Sequence, residues 1–111
     1  MKLVHVTVQV QYAEDVGEIL RRHELRSWTR HDRIAGRDLD GRHDGSQAFP
    51  GNMALFQAQV ADDDVSAVLD DLEKFRTAKR VHHHIEALVL PVERRIGPEP
   101  AREATAETDW P

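Results

Sequence analysis

The chain has 111 residues and no cysteine, and its 20 acidic residues against 15 lysines and arginines give a formal net charge of −5. That length supports one domain, and the missing thiol excludes a disulfide scaffold, thiol catalysis and cysteine-ligated zinc or iron–sulfur centres. The acidic balance argues against nucleic-acid binding through phosphate neutralisation, and no apolar run approaches the roughly 20 residues that span a bilayer.

Met1-Lys2-Leu3-Val4-His5 passes directly into an alternating pattern, without a signal-peptide h-region and small-residue cleavage site, so a cytoplasmic location is expected. Val4, Val6, Val8 and Val10 alternate with His5, Thr7 and Gln9, the period of a half-buried strand. Between Tyr12 and Leu25, Ala13, Val16, Ile19 and Leu20 recur at helical spacing. Glu14 and Asp15 in its first turn, and Arg21, Arg22 and His23 in its last, suit the helix dipole. Arg26 to Ala35 reads as a shorter, more polar strand. Gly36 to Gly51 holds four glycines and no apolar period, which predicts a long loop.

From Asn52 to Ala61 the alternation returns, with Ala54, Phe56, Ala58 and Val60 on one face and Leu55, Gln57 and Gln59 on the other. Asp62-Asp63-Asp64 opens a second helix that any of the three can cap. Its buried stripe is Val65, Val68, Leu69, Leu72 and Phe75, and Lys74, Arg76, Lys79 and Arg80 gather towards its end. Val81 to Val92 is rich in β-branched and apolar residues and predicts the last strand. Gly97 to Pro111 contains three prolines, four acids, one base and little apolar surface. Such a segment cannot offset its ordering entropy, so a disordered tail of charge −3 is expected, leaving residues 1–96 near −2.

The order βαββαβ predicts an α+β, ferredoxin-like domain over 1–96: a four-stranded antiparallel sheet with two helices on one face. The other face is expected to carry His5, Thr7 and Gln9, then Leu55, Gln57 and Gln59, then His82, His84, Glu86, Leu88 and Leu90. A solvated face would not be expected to hold these leucines, which points to burial in an oligomer.

Two constellations carry candidate chemistry. Within Gly36–Gly51, backbone amides with Arg37 or Arg42 could receive a phosphate or other oxyanion, although neither GxxxxGK[ST] nor GxGxxG is present. The alternative is a partner-binding loop that touches no nucleotide. In a strand, His82, His84 and Glu86 would share one face at i, i+2 and i+4, a ligand set suited to zinc, copper, nickel or cobalt. His5 on the neighbouring strand could join them. The alternative is a polar strand end whose histidines are solvated or hydrogen-bonded. No serine–histidine–aspartate arrangement or acid pair stands out, so no catalytic residue is assigned and no enzyme is expected.

Three segments in register resemble the PII-like signalling proteins, a divergent branch of the nitrogen regulatory PII proteins that shares its scaffold with CutA-like proteins. They are Ser27-Trp28-Thr29-Arg30 with Ile34-Ala35-Gly36-Arg37, the glycine-rich stretch Gly41 to Asn52, and Leu90-Pro91-Val92-Glu93-Arg94-Arg95-Ile96. The resemblance implies a homotrimer that binds an adenine nucleotide in clefts between subunits. It also implies a T-loop, here about 36–51, that controls a protein partner such as a transporter, channel or enzyme. Thr29, Gly36 and Arg37 match positions at the cleft edge; Arg37 and Arg42 would contact the anionic ligand, and Gly36 and Gly51 would act as hinges. Two features depart from the family. No glycine stands in Thr77-Ala78-Lys79-Arg80, where a second phosphate loop is expected, and Gly97-Pro98-Glu99-Pro100 replaces the arginines after the last strand.

Overall fold

The alternating valines occupy the middle of the sheet. In the computed structural model, which describes residues 1–25, 27–38, 41–43 and 52–98 (backbone alone at 36–38 and 41–43), β1 (Lys2–Gln9) buries Val4, Val6 and Val8 completely. A 3₁₀ turn over Val10–Tyr12 leads into α1 (Ala13–Arg22). β2 (Ser27–Ile34) is followed by two short strands, β3 (Gly36–Asp38) and β4 (Gly41–His43). Then come β5 (Met53–Val60), α2 (Val65–Ala78) and β6 (Glu86–Pro91).

The main sheet runs β2-β5-β1-β6 and is antiparallel throughout. Val4 lies opposite Ala58 and Val89, and Val6 opposite Phe56 and Ala87, so one face is continuously apolar. Ala13, Val16, Ile19 and Leu20 of α1 and Val68 and Leu72 of α2 close over that face. The ferredoxin-like fold follows from these two periodicities, two in the strands and 3.6 in the helices.

Charge joins the layers at their edges. Arg30 of β2 reaches Glu14 of α1 and Asp32 of its own strand, both at 2.7 Å. The hydrogen bonds that Arg30 donates to Asp32 and Glu14 raise the Arg30 pKa, and the bond from Arg30 lowers that of Glu14. Across the helix pair, His23 Nε2–H donates to Asp71 at 2.7 Å, and Arg22 stands 3.7 Å from the same carboxylate.

Several elements differ from the sequence reading. Asp62–Asp64 forms a 3₁₀ turn rather than a cap: Asp64 stands at the N-cap of α2 and makes no side-chain capping bond. The three carboxylates still sit at the favourable end of the helix dipole. Part of the expected loop is ordered as a ladder, with Gly36 opposite His43, Arg37 opposite Arg42 and Asp38 opposite Gly41. Gly51 and the tail beyond Pro98 lie outside the described residues. β2 carries a bulge between His31 and Ile34, where Arg33 takes a left-handed φ of 57° and turns the strand towards β3.

The largest correction concerns Val81–Ile85, which is not strand. Arg80–His82 forms a 3₁₀ turn, and the amides of His82, His83 and Ile85 bond to the carbonyls of Lys79, Arg80 and His82. β-branched composition favours a strand; here the imidazoles satisfy nearby carbonyls instead. His82 Nδ1 lies 2.9 Å from Phe75 O, and His84 Nδ1 lies 3.0 Å from Val81 O.

Candidate functional site

β1 ends, β5 and β6 begin, and β2 gives way to β3, all at one end of the sheet. The register fixes this: Gln9 and Ile34 both face Met53, and Thr7 faces Glu86. Residues 36–51 leave from here. Val10 N–H donates to Asn52 O where the chain returns. α2 also ends here, so the Lys79–Ile85 connection crosses the same corner.

A groove of about 640 Å³ opens at this corner, between the outer side of α2 and the start of β6. Leu69, Leu72, Ile85 and Ala87 form its apolar lining, with His83, His84 and Glu86 on one bank and Glu73 and Arg76 on the other. Glu73 and Arg76 engage each other through two hydrogen bonds of 2.8 and 2.7 Å. That contact lowers the Glu73 pKa and raises that of Arg76. Their charges therefore largely cancel. Lys79, Arg80 and His83 on the connection are exposed.

The candidate metal ligands do not converge. His82 is only 5% exposed and lies on the helix side of the sheet, stacked on Phe75 at 3.9 Å and edge-on to Tyr12 at 4.8 Å. His84 precedes the strand, and its Nε2 accepts a bond from Gln9 N–H at 2.8 Å. Glu86 lies opposite Thr7, and His5 opposite Leu88, on the face without helices. The i, i+2, i+4 argument fails because positions 82 and 84 are in a turn. Among the described residues no group of three or more histidines or carboxylates is placed to hold a metal ion. Sequence reasoning missed the ring cluster of Phe75, His82, Tyr12 and His84; the apolar residues flanking a polar triple were its only signal.

The candidate anion-site residues are distributed across the domain. Thr29 is exposed in the middle of β2 and faces Gln57 on the open side. Gly36 and Arg37 begin the short ladder, where positions 37 and 42 stand directly opposite. β2 is one edge of the sheet and β6 the other. Thr29 and the groove beside β6 therefore lie at opposite edges of a single chain.

The open face matches expectation apart from the two histidines. Leu3, His5, Thr7 and Gln9 run beside Gln59, Gln57, Leu55 and Met53, and Leu3 and His5 lie opposite Leu90 and Leu88. Leu88 is 49% exposed and Leu90 44%.

Solved structures share this fold. A nitrogen regulatory PII-like protein, CPII, from Thiomonas intermedia K12, bound to ADP, AMP and bicarbonate, superposes with a TM-score of 0.64. It is 16% identical, over 80% of this chain and 88% of its own. A candidate PII-like signaling protein from Thermus thermophilus gives 0.57 at 18% identity, over 79% and 82%. The chain has the PII-like fold. A DUF3240 family protein from Shewanella baltica shares it at a TM-score of 0.68 and 15% identity, over 88% and 96%. No family model and no curated protein sequence matches the chain, so the likeness is one of fold. In this PII-like domain, no helix among the described residues is long and apolar enough to cross a membrane.

One electrostatic contact of the PII-like domain sets a pH dependence. The hydrogen bond from His23, with Arg22 and Lys74 nearby, holds the Asp71 carboxyl below its usual range. A carboxyl whose pKa is lowered by folding stabilises the native state above its unfolded pKa, about 3.9. That contribution is lost as pH falls through the lower native value. Asp71→Asn is therefore expected to flatten the fall of the urea midpoint between about pH 4.5 and 2. An unchanged slope would show that the bridge adds nothing.

Proposed function

We propose that the protein is a non-enzymatic PII-like signalling protein. In this reading it is a homotrimer in which an adenine nucleotide or another small anion, bound between subunits, biases the T-loop at 36–51. The loop then engages or releases a protein partner: a transporter, channel or enzyme. A ligand shifts such a loop only through its different affinities for the two loop states.

The separation of Thr29 from the α2–β6 corner is the observation that carries the reading. These groups lie at opposite edges of the sheet, so one chain cannot close a site around both, whereas the β2 edge of one copy beside the β6 edge of another can. The leucines of the open face favour such an assembly, since patches of this kind commonly mark interaction sites. The backbone ladder sets positions 37 and 42, both arginine in the sequence, directly opposite each other where residues 36–51 leave the sheet. Lys79 and Arg80 bring two exposed cations to the end of the sheet from which residues 36–51 leave. They stand where the resemblance expects a glycine-rich phosphate loop. CPII was solved with ADP, AMP and bicarbonate, which supplies the ligand class to try first.

In this scheme Thr29 lines the cleft, Arg37 and Arg42 contact the anion, and Gly36 and Gly51 are the hinges. A hydrogen bond between charged groups is worth about 1.5–3 kcal/mol, so Arg37→Ala is expected to weaken ADP binding by roughly ten- to a hundredfold in calorimetry. Equal affinity in the variant would remove Arg37 from the site.

A further inference from the structure

His84 stands where three parts of the chain meet: the turn that carries it, the end of β1, and Tyr12. Its Nε2 accepts from Gln9 N–H at 2.8 Å. Its Nδ1 lies 3.0 Å from Val81 O, which can only accept. Together these contacts require a proton on Nδ1 and a lone pair on Nε2, which is neutral imidazole in one tautomer. An imidazolium carries protons on both nitrogens, so its Nε2–H would be turned against the Gln9 donor.

The surroundings make this one bond a junction. Tyr12 lies 5.8 Å from the His84 ring and 4.8 Å from that of His82, which stacks on Phe75. The residue after Gln9, Val10, donates to Asn52 O, where the chain returns from the loop. The Gln9–His84 bond thus ties the α2–β6 connection to the base of residues 36–51.

We propose that His84 is a proton-operated latch. Neutral, it fixes the Lys79–Ile85 connection to the end of β1. Protonated, it loses its acceptor, the bond to Gln9 breaks, and the connection moves away from the loop base, altering the groove that His83, His84 and Ile85 line. Among the described residues, the charged and titratable groups around it include His82 and His83 on the connection, Glu86 on β6, Tyr12 ahead of α1, and Asp70, Glu73 and Arg76 of α2 across the groove. Glu73 is engaged by Arg76. Asp70 and Glu86 favour an imidazolium electrostatically, yet neither restores the acceptor that Gln9 N–H requires. The released state binds one more proton than the latched state, so acid favours release by linkage. This device depends on hydrogen-bond geometry and not on the identity of any ligand.

Nuclear magnetic resonance on the full chain tests it. At about pH 7.5 the imidazole nitrogen shifts of His84 are expected to report the Nδ1–H tautomer. As pH falls through the imidazole range, near 6.5 for an unperturbed side chain, the protection factor of the Gln9 amide is expected to drop about tenfold per pH unit. Amides in the middle of β1 keep theirs. His84→Gln retains an acceptor oxygen without a titrating proton, so its Gln9 protection is expected to be flat across the same range. An Nε2–H tautomer in the wild type overturns the proposal. So does Gln9 protection that ignores pH, a loss shared equally along β1, or the same slope in His84→Gln.

Discussion

Truncation of Phe56 to alanine lowers the unfolding free energy by about 3–5 kcal/mol, the usual cost of removing a buried aromatic side chain. Phe56 is completely buried in β5, between Val6 of β1 and Arg30 of β2 in the register. Trp28 packs 5.8 Å from its ring, and the Arg30 guanidinium lies 5.9 Å from its centroid. The cavity would open under both helices, where the tightly filled interior can collapse only in part. Small domains have a total stability of about 5–15 kcal/mol, so the variant is expected to lose a large share of its stability. Urea unfolding reads the change as a lower midpoint at unchanged slope. A cost below about 1 kcal/mol would mean that the core is not centred on β5 and β1.

Leu88→Arg combined with Leu90→Arg is expected to act on assembly rather than on the single chain. Both side chains are close to half exposed in the monomer and lie on the edge strand β6. Surface substitutions of this kind usually change stability by no more than about 0.5 kcal/mol each. If the open face is covered by other copies, the same two arginines would bury unpaired charge at each interface, which is strongly unfavourable. Light scattering is expected to give three times 12.7 kDa for the wild type and 12.7 kDa for the double variant. A wild type that runs as a 12.7 kDa particle contradicts the trimer. A double variant that remains trimeric would show that the open face is not the interface between copies.

The sequence announced the fold well, because each core element repeats its apolar residues at a single period. Val4, Val6 and Val8, then Ala54, Phe56, Ala58 and Val60, lie inside as the alternation predicts. The last strand was only half legible. Ala87 and Val89 follow the pattern and Leu88 and Leu90 occupy the opposite face. The strand nevertheless starts at Glu86, because His82 and His84 bond to carbonyls within reach of a turn. Strand propensity records how a side chain suits a pleated surface and carries no information about such local bonds. That error moved His82 from the open face into the core and dissolved the proposed metal set. The same difficulty hid the junction between His84 and Gln9, a contact 75 residues apart in sequence. For the proposed anion site, the sequence offers Thr29, Arg37 and Arg42 but cannot show that β2 and the groove lie at opposite edges. Topology supplies that fact, and the proposed site between copies rests on it.

Calorimetric titration of the wild-type chain with ADP, with AMP in parallel, tests the central claim most directly. Saturable heat is expected with at least one of the two nucleotides, with no more than one molecule bound per chain. The absence of heat from both at millimolar nucleotide would contradict it.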